Sequence, residues 1–198
     1  MEKQAPKCYN LKAMQDKIII GLVGEKLAGK DTVADFLIKK YGAFHIKFST
    51  LLDEMLAILD MPISRRNEID LGLGLRKIFG EEVLYKALCK RSLEAKEKIV
   101  VINGLRMDEQ AKMIQDMAAK IIYVTASPES RFARYKQRHE KTDDGLMNFE
   151  QFKEQEKELT EIGIPELGKK ADYKVVNEGS VEQLYKDVDE VMQNISTI

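Results

Sequence analysis

Gly24, Gly29 and Lys30 stand in the spacing Gly-x-x-x-x-Gly-Lys, which can do one kind of chemistry well: holding phosphate. With Glu25, Lys26, Leu27 and Ala28 between the glycines, and Asp31 and Thr32 after the lysine, they form a short loop. Its backbone N–H groups can converge on anionic oxygens only where glycine permits unusual dihedrals and puts no side chain in the way. The Lys30 ammonium would then neutralise the terminal phosphates of a bound nucleotide. The position after such a lysine usually carries a hydroxyl that binds Mg²⁺; here it is Asp31.

The flanking residues supply elements that can hold such a loop. Ile18, Ile19, Ile20, Leu22 and Val23 form an apolar, β-branched run that reads as a buried strand, broken at Gly24. After the loop Val33, Phe36 and Leu37 fall at helical spacing, and Gly42 sits where a helix C-cap tolerates positive φ. The N-terminal end of that helix adds its dipole to the phosphate site. A glycine-rich loop between strand and helix is the context of a P-loop. The string GKDT resembles the P-loop of phage-type deoxynucleoside monophosphate kinases and of some phosphomevalonate kinases. That resemblance makes Asp31 a family variant and implies ATP and Mg²⁺ as cofactors.

A second stretch, VVINGLRMDE, resembles the segment of nucleoside monophosphate kinases and their archaeal relatives in which an apolar strand ends in an acid followed by Gly and Arg, with Asn103 replacing the acid. The two departures suggest an exchange, in which the carboxylate has moved from the strand end to Asp31 and Asn103 orients a water ligand of Mg²⁺. The alternative is ATP binding with catalysis lost. Arg106, just past that strand, can bridge donor and acceptor phosphates bidentately or can pair with Asp108 or Glu109 on the surface. Ser127 and Pro128 start a helix carrying Arg131, Arg134 and Arg138 on one face. These arginines resemble the lid helix of nucleotide kinases, which closes over the triphosphate. The tail ADYKVVNEGS resembles the last strand and loop of dephospho-CoA kinase and adenylate-kinase-like proteins, which implies that Asn177 and Gly179 lie against the adenine. Ser49 and Asp53, near the end of the second strand, and Arg76, with Arg65, are candidate acceptor-binding residues; Asp53 could take a proton from an acceptor hydroxyl.

Strands are expected at 18–23, 43–48, 99–103, 121–125 and 173–177, alternating with helices that include 108–119 and a charged helix over 148–161, with Pro165 and Gly168 as breaks. Ser180 and Gln183 make a capping-box start for the last helix. Such alternation predicts an α/β fold: three layers, a five-stranded parallel sheet, and ligands beyond the carboxyl ends of the strands. The expected organisation is a polar extension over 1–16 and a P-loop kinase domain over 17–198. Its core would be 17–50, 97–127 and 170–198, its helical substrate-binding insertion about 51–96 and its lid about 127–169.

Composition excludes several partners. The chain of 198 residues holds 32 basic and 33 acidic residues, so a net charge of −1 offers no bulk attraction to nucleic acid or to an anionic membrane. Cys8 and Cys89 give neither a disulfide framework nor a metal-ligand spacing. No apolar run approaches a membrane span, and the amino terminus lacks the apolar core of a signal peptide, so a cytoplasmic location is expected. No Asn-Lys-x-Asp guanine signature is present, which favours ATP over GTP. The expected function is transfer of the γ-phosphoryl of ATP to a small nucleotide-like acceptor, first a (deoxy)nucleoside monophosphate. Dephospho-CoA kinase-like activity and a non-enzymatic ATP-binding switch are the alternatives. The sequence leaves the oligomeric state open.

Overall fold

The computed structural model describes residues 16–80, 82–115, 117–137, 147–158 and 161–196. The expected extension over 1–16 therefore lies outside the described residues except for Asp16, as does Arg138. The apolar runs become strands β1 (Ile18–Val23), β2 (Phe44–Lys47), β3 (Ile99–Leu105), β4 (Lys120–Thr125) and β5 (Tyr173–Val176). They form one sheet in the order β2-β3-β1-β4-β5, parallel throughout. Parallel neighbours need crossover connections, so helices must cover both faces, and the central strands read as continuous apolar runs for that reason. β1 is in the middle, between β3 and β4, with Ile20, Leu22 and Val23 fully buried.

Helices α1 (Lys30–Tyr41) and α9 (Val181–Ser196) pack on one face through Val33, Phe36, Leu37, Leu184, Val188 and Val191. Between β2 and β3 the chain makes α2 (Phe48–Ile58), α3 (Arg65–Phe79) and α4 (Val83–Glu94). After β3 come α5 (Asp108–Gln115), then α6 (Pro128–Gln137), α7 (Phe149–Glu154) and α8 (Ile164–Lys169). The second face is built on Tyr85, Leu88 and Cys89 of α4, Ile114 of α5, and Ile164 and Leu167 of α8. Gly42 caps α1 as its composition predicts, at φ 63°, with its N–H on the Ile38 carbonyl at 3.0 Å. Among the described residues no helix is long and apolar enough to cross a membrane.

Several boundaries differ from expectation, each for a local reason. β2 gives way to α2 at Phe48, so Ser49 sits in a helix's first turn and not in a strand-end loop. β3 continues past Asn103 to Leu105, because a register shift lets Leu22 pair with Asn103 and Val23 with Leu105. α5 ends at Gln115, where Ala118 turns the chain at φ 56°. The charged helix over 148–161 breaks up: Asn148 and Gln151 form a capping box for the short α7, a 3-10 turn spans Gln155–Lys157, and Glu158 is extended at ψ 145°. Pro165 and Gly168 lie inside α8. Pro165 falls in the first turn, where a missing N–H costs nothing, and Gly168 lets the helix rest against the Tyr123 ring.

Candidate active site

The loop begins where β1 ends. A Cβ on Gly24 would run into the Val124 carbonyl of β4, and Gly29 has φ 107° and would drive a Cβ into the Asn177 side chain. Both glycines are therefore needed for close approach, and Leu27 adds a left-handed turn at φ 65°. Lys30 folds back over the loop, its Nζ donating to the carbonyls of Gly24 at 2.7 Å and Glu25 at 2.8 Å. Burial, with the nearby Arg106 charge, lowers the Lys30 pKa to about 8.

At the carboxyl ends of β3 and β2 the two departures from the usual motif meet. Asn103 Nδ2 donates to Asp31 Oδ1 at 2.9 Å, across 72 residues of sequence. Asn103 is 2% exposed, and its Oδ1 meets no hydrogen-bond partner among the described residues. Lys47 joins them, its Nζ 2.5 Å from Asp31 Oδ1; β2–β3 register sets Lys47 opposite Asn103. Burial raises the Asp31 pKa, but the hydrogen bond and charge of Lys47, with Lys30 and Asn103, outweigh it and hold the carboxyl below its ordinary value. No group of three or more His, Cys, Asp or Glu among the described residues could hold a metal alone. Two protein oxygens beside a phosphate site nevertheless suit Mg²⁺, which commonly takes one or two carboxylates and fills its remaining positions with water and substrate phosphates.

The lid-helix arginines face inward. Arg134 donates to the carbonyls of Leu27 at 3.0 Å and Asn177 at 2.6 Å, bridging the loop to the end of β5. The buried Asn177 supports the same brace, with Nδ2 on the Ala28 carbonyl at 2.9 Å and its N–H on Thr125 at 2.7 Å. Its amide is therefore committed to the loop backbone, while Gly179 stays exposed. Glu178 caps the start of α6 through Ser127 and Ser130, whose hydrogen bonds lower its pKa. Arg131 is buried at 3% exposure, with Nε on the Ala126 carbonyl at 3.0 Å and a terminal nitrogen 2.5 Å from Glu156. Arg106 pairs with Glu161 across the site.

A cavity of about 280 Å³ opens in front of the loop, between Glu25 and Lys26 on one side and Arg131, Phe152, Glu156 and Glu161 on the other. Tyr123 of β4 donates its hydroxyl to Glu25 Oε1. Asp53 lies on α2, away from this cavity, with Oδ1 buried and unanswered among the described residues. Arg76 is half-buried in the last turn of α3, and the Arg65 side chain lies outside what is described. Lys47, Tyr123, Glu156 and Glu161 were not singled out from the sequence. Only Lys47 carried a signal there, as a residue near the end of the strand expected at 43–48, at the ligand-binding edge of the sheet.

A parallel sheet with a phosphate loop after its central strand, and a polar side chain at the end of the neighbouring strand, defines a P-loop NTPase fold of the kinase-like kind. The chain belongs to the AAA domain family, whose pattern matches residues 23–153. A UPF0200 protein of Staphylothermus marinus is 27% identical over 122 residues, 61% of this chain and 63% of that protein. Another, from Methanococcus maripaludis, is 26% identical over 184 residues, 91% of this chain and 98% of its own length. Among solved structures, a shikimate kinase from Aquifex aeolicus superposes with a TM-score of 0.53 at 16% identity, covering 91% of this chain and 99% of that one.

Proposed function

We propose that the chain is an ATP- and Mg²⁺-dependent phosphotransferase that moves a γ-phosphoryl group to a small nucleotide-like acceptor. The observation that carries this reading is the meeting of Lys30, Asp31 and Asn103 at the mouth of the loop. Lys30 would exchange its two loop carbonyls for the terminal phosphates of ATP. Asp31 and Asn103 would hold Mg²⁺, which when bound offsets the charge that develops on the transferred group. Backbone N–H groups from 24 to 32 would cradle the phosphates. Arg134 and Asn177 would keep that cradle in shape. The segment over about 127–169 would form the lid, and the expected substrate-binding insertion over about 51–96 lends no described residue to the cavity in front of the loop.

Two acceptor classes compete. A (deoxy)nucleoside monophosphate needs cations for its own phosphate, which Arg76 and Arg65 of the insertion were expected to supply. Dephospho-CoA offers a hydroxyl instead. The pairing of Arg106 with Glu161 and of Arg131 with Glu156 weighs toward the hydroxyl class, because the carboxylate beside each guanidinium offsets its attraction for a second anion. ADP release measured with monophosphates and with dephospho-CoA tests the function. An acceptor-dependent rate supports a kinase, and ATP binding without turnover supports a switch.

A further inference from the structure

Glu25 belongs to the loop itself, its backbone carbonyl is one of the two that hold Lys30 Nζ, and the charge of its carboxylate acts on that ammonium. One carboxylate oxygen, Oε1, receives the Tyr123 hydroxyl. The other, Oε2, is buried and meets no hydrogen-bond partner among the described residues. Arg131 lines the same cavity. It is 3% exposed, with Nε and one terminal nitrogen engaged, but its Nη1 is likewise unanswered among the described residues. Buried polar groups are rarely left so, and unanswered ones mark sites that a ligand completes.

Glu25 and Arg131, one with an acceptor lacking a donor and the other with a donor lacking an acceptor among the described residues, thus line one cavity of about 280 Å³, near the lower end of ligand-site volumes. A hydroxyl group can answer both, since it donates one hydrogen bond and accepts others. A phosphate monoester fits poorly. It would bring a charge of about −2 to a wall that carries Glu25, Glu156, Glu158 and Glu161 against Lys26 and Arg131. Its attacking oxygen is already ionised and has no use for a base. Phe152, Ile162 and Pro165 supply an apolar wall for the body of a small molecule.

We infer that this cavity is the acceptor site, that its acceptor is an alcohol and not a phosphate monoester, and that Glu25 is the general base for transfer. The inference rests on the proposed phosphotransfer and names its substrate class. In the step, the acceptor oxygen bonds to the γ-phosphorus while the bond from that phosphorus to the bridging oxygen breaks, its electron pair leaving with ADP. The hydroxyl proton passes to Glu25 Oε2 and from there to solvent. Tyr123 keeps its own proton, its pKa raised to about 12 by burial and by the Glu25 hydrogen bond, so it holds the carboxylate in place as a donor. The charged and titratable groups around Glu25 are Lys26 of the loop, Lys30 of α1, Tyr123 of β4, Arg131 of α6, and Glu156 and Glu161 across the cavity.

The test uses the full chain, Mg·ATP, and three acceptors: water alone, dephospho-CoA, and nucleoside monophosphates. ADP release is followed across pH for wild type, Glu25→Gln and Asp53→Asn, and Mg·ATP binding is measured by calorimetry. Dephospho-CoA is expected to raise ADP release above the rate in water alone, and monophosphates are not. Glu25→Gln is expected to lower kcat by about 10²- to 10⁴-fold and leave the Kd for Mg·ATP within about threefold. Monophosphate-dependent turnover, an unchanged kcat in Glu25→Gln, or an equal loss of kcat in Asp53→Asn overturns the inference while leaving phosphotransfer standing. ADP release that dephospho-CoA does not raise above the rate in water alone also overturns it. Absence of Mg·ATP binding by the wild type overturns the proposed function itself.

Discussion

Binding of Mg·ATP should draw a proton onto Lys30. In the free protein burial, aided by Arg106, lowers its pKa to about 8 from an ordinary 10.5. Phosphate oxygens in place of the Gly24 and Glu25 carbonyls favour the ammonium and raise that value again. At pH 8, roughly half of the free protein carries a neutral Lys30, so binding takes up about half a proton, and nearly a whole one a unit higher. Affinity should therefore fall toward tenfold per pH unit above 8, about 1.4 kcal/mol each. ATP contributes little here, because its terminal phosphate titrates near pH 6. Stability of the free protein has the opposite slope. The folded pKa is depressed, so between about 8 and 10.5 the unfolded chain holds more protons. A cost on the order of 3 kcal/mol, present below that window, is relieved as pH rises through it. Calorimetric titrations at pH 7, 8 and 9, in buffers of different ionisation enthalpy, measure the uptake directly. No proton uptake at pH 8 and 9, with constant affinity, would refute the reasoning.

Lys47 competes with a cation for Asp31, so Lys47→Met should raise the apparent Mg²⁺ affinity in ATP turnover about two- to fivefold, as expected for an ion pair exposed to solvent; an unchanged Mg²⁺ titration would show that Asp31 does not meet the metal. Gly29→Ala places a Cβ against Asn177 at φ 107°, and should cost about 1–3 kcal/mol in a thermal melt and weaken Mg·ATP binding more than tenfold; native affinity would contradict the loop geometry. Arg134→Ala strips donors from the carbonyls of Leu27 and Asn177 and should lower stability in urea by about 1–3 kcal/mol. A wild-type urea midpoint would show that this brace carries nothing.

The loop and the sheet were legible because they are written locally: apolar runs end at Gly24 and Asn103, and helical spacing follows Lys30. Whether Asp31 and Asn103 touch depends on the adjacency of β1 and β3, which the parallel strand order supplies and the sequence does not print. Helical spacing put Arg131 and Arg134 on one face of α6 but could not say that this face is inside. The cluster of Phe132, Tyr135, Phe149 and Phe152 decides that, packing α6 against α7, and the turn after α7 brings Glu156 to Arg131. Asn177 matched a loop beside adenine by resemblance, whereas its side chain is spent on Ala28. Tyr123 and Glu25 meet across 98 residues, a pairing that only the β1–β4 neighbourhood explains.

The most direct measurement is an equilibrium titration of the chain with Mg·ATP, beside the same titration of Lys30→Ala. The loop geometry predicts saturable one-to-one binding by the wild type, weakened by at least about tenfold when the ammonium is removed, since charge-assisted contacts to phosphate are the strong ones. No saturation at millimolar Mg·ATP, or equal affinity in the two proteins, would contradict the claim that residues 24 to 32 hold the phosphates of a nucleotide.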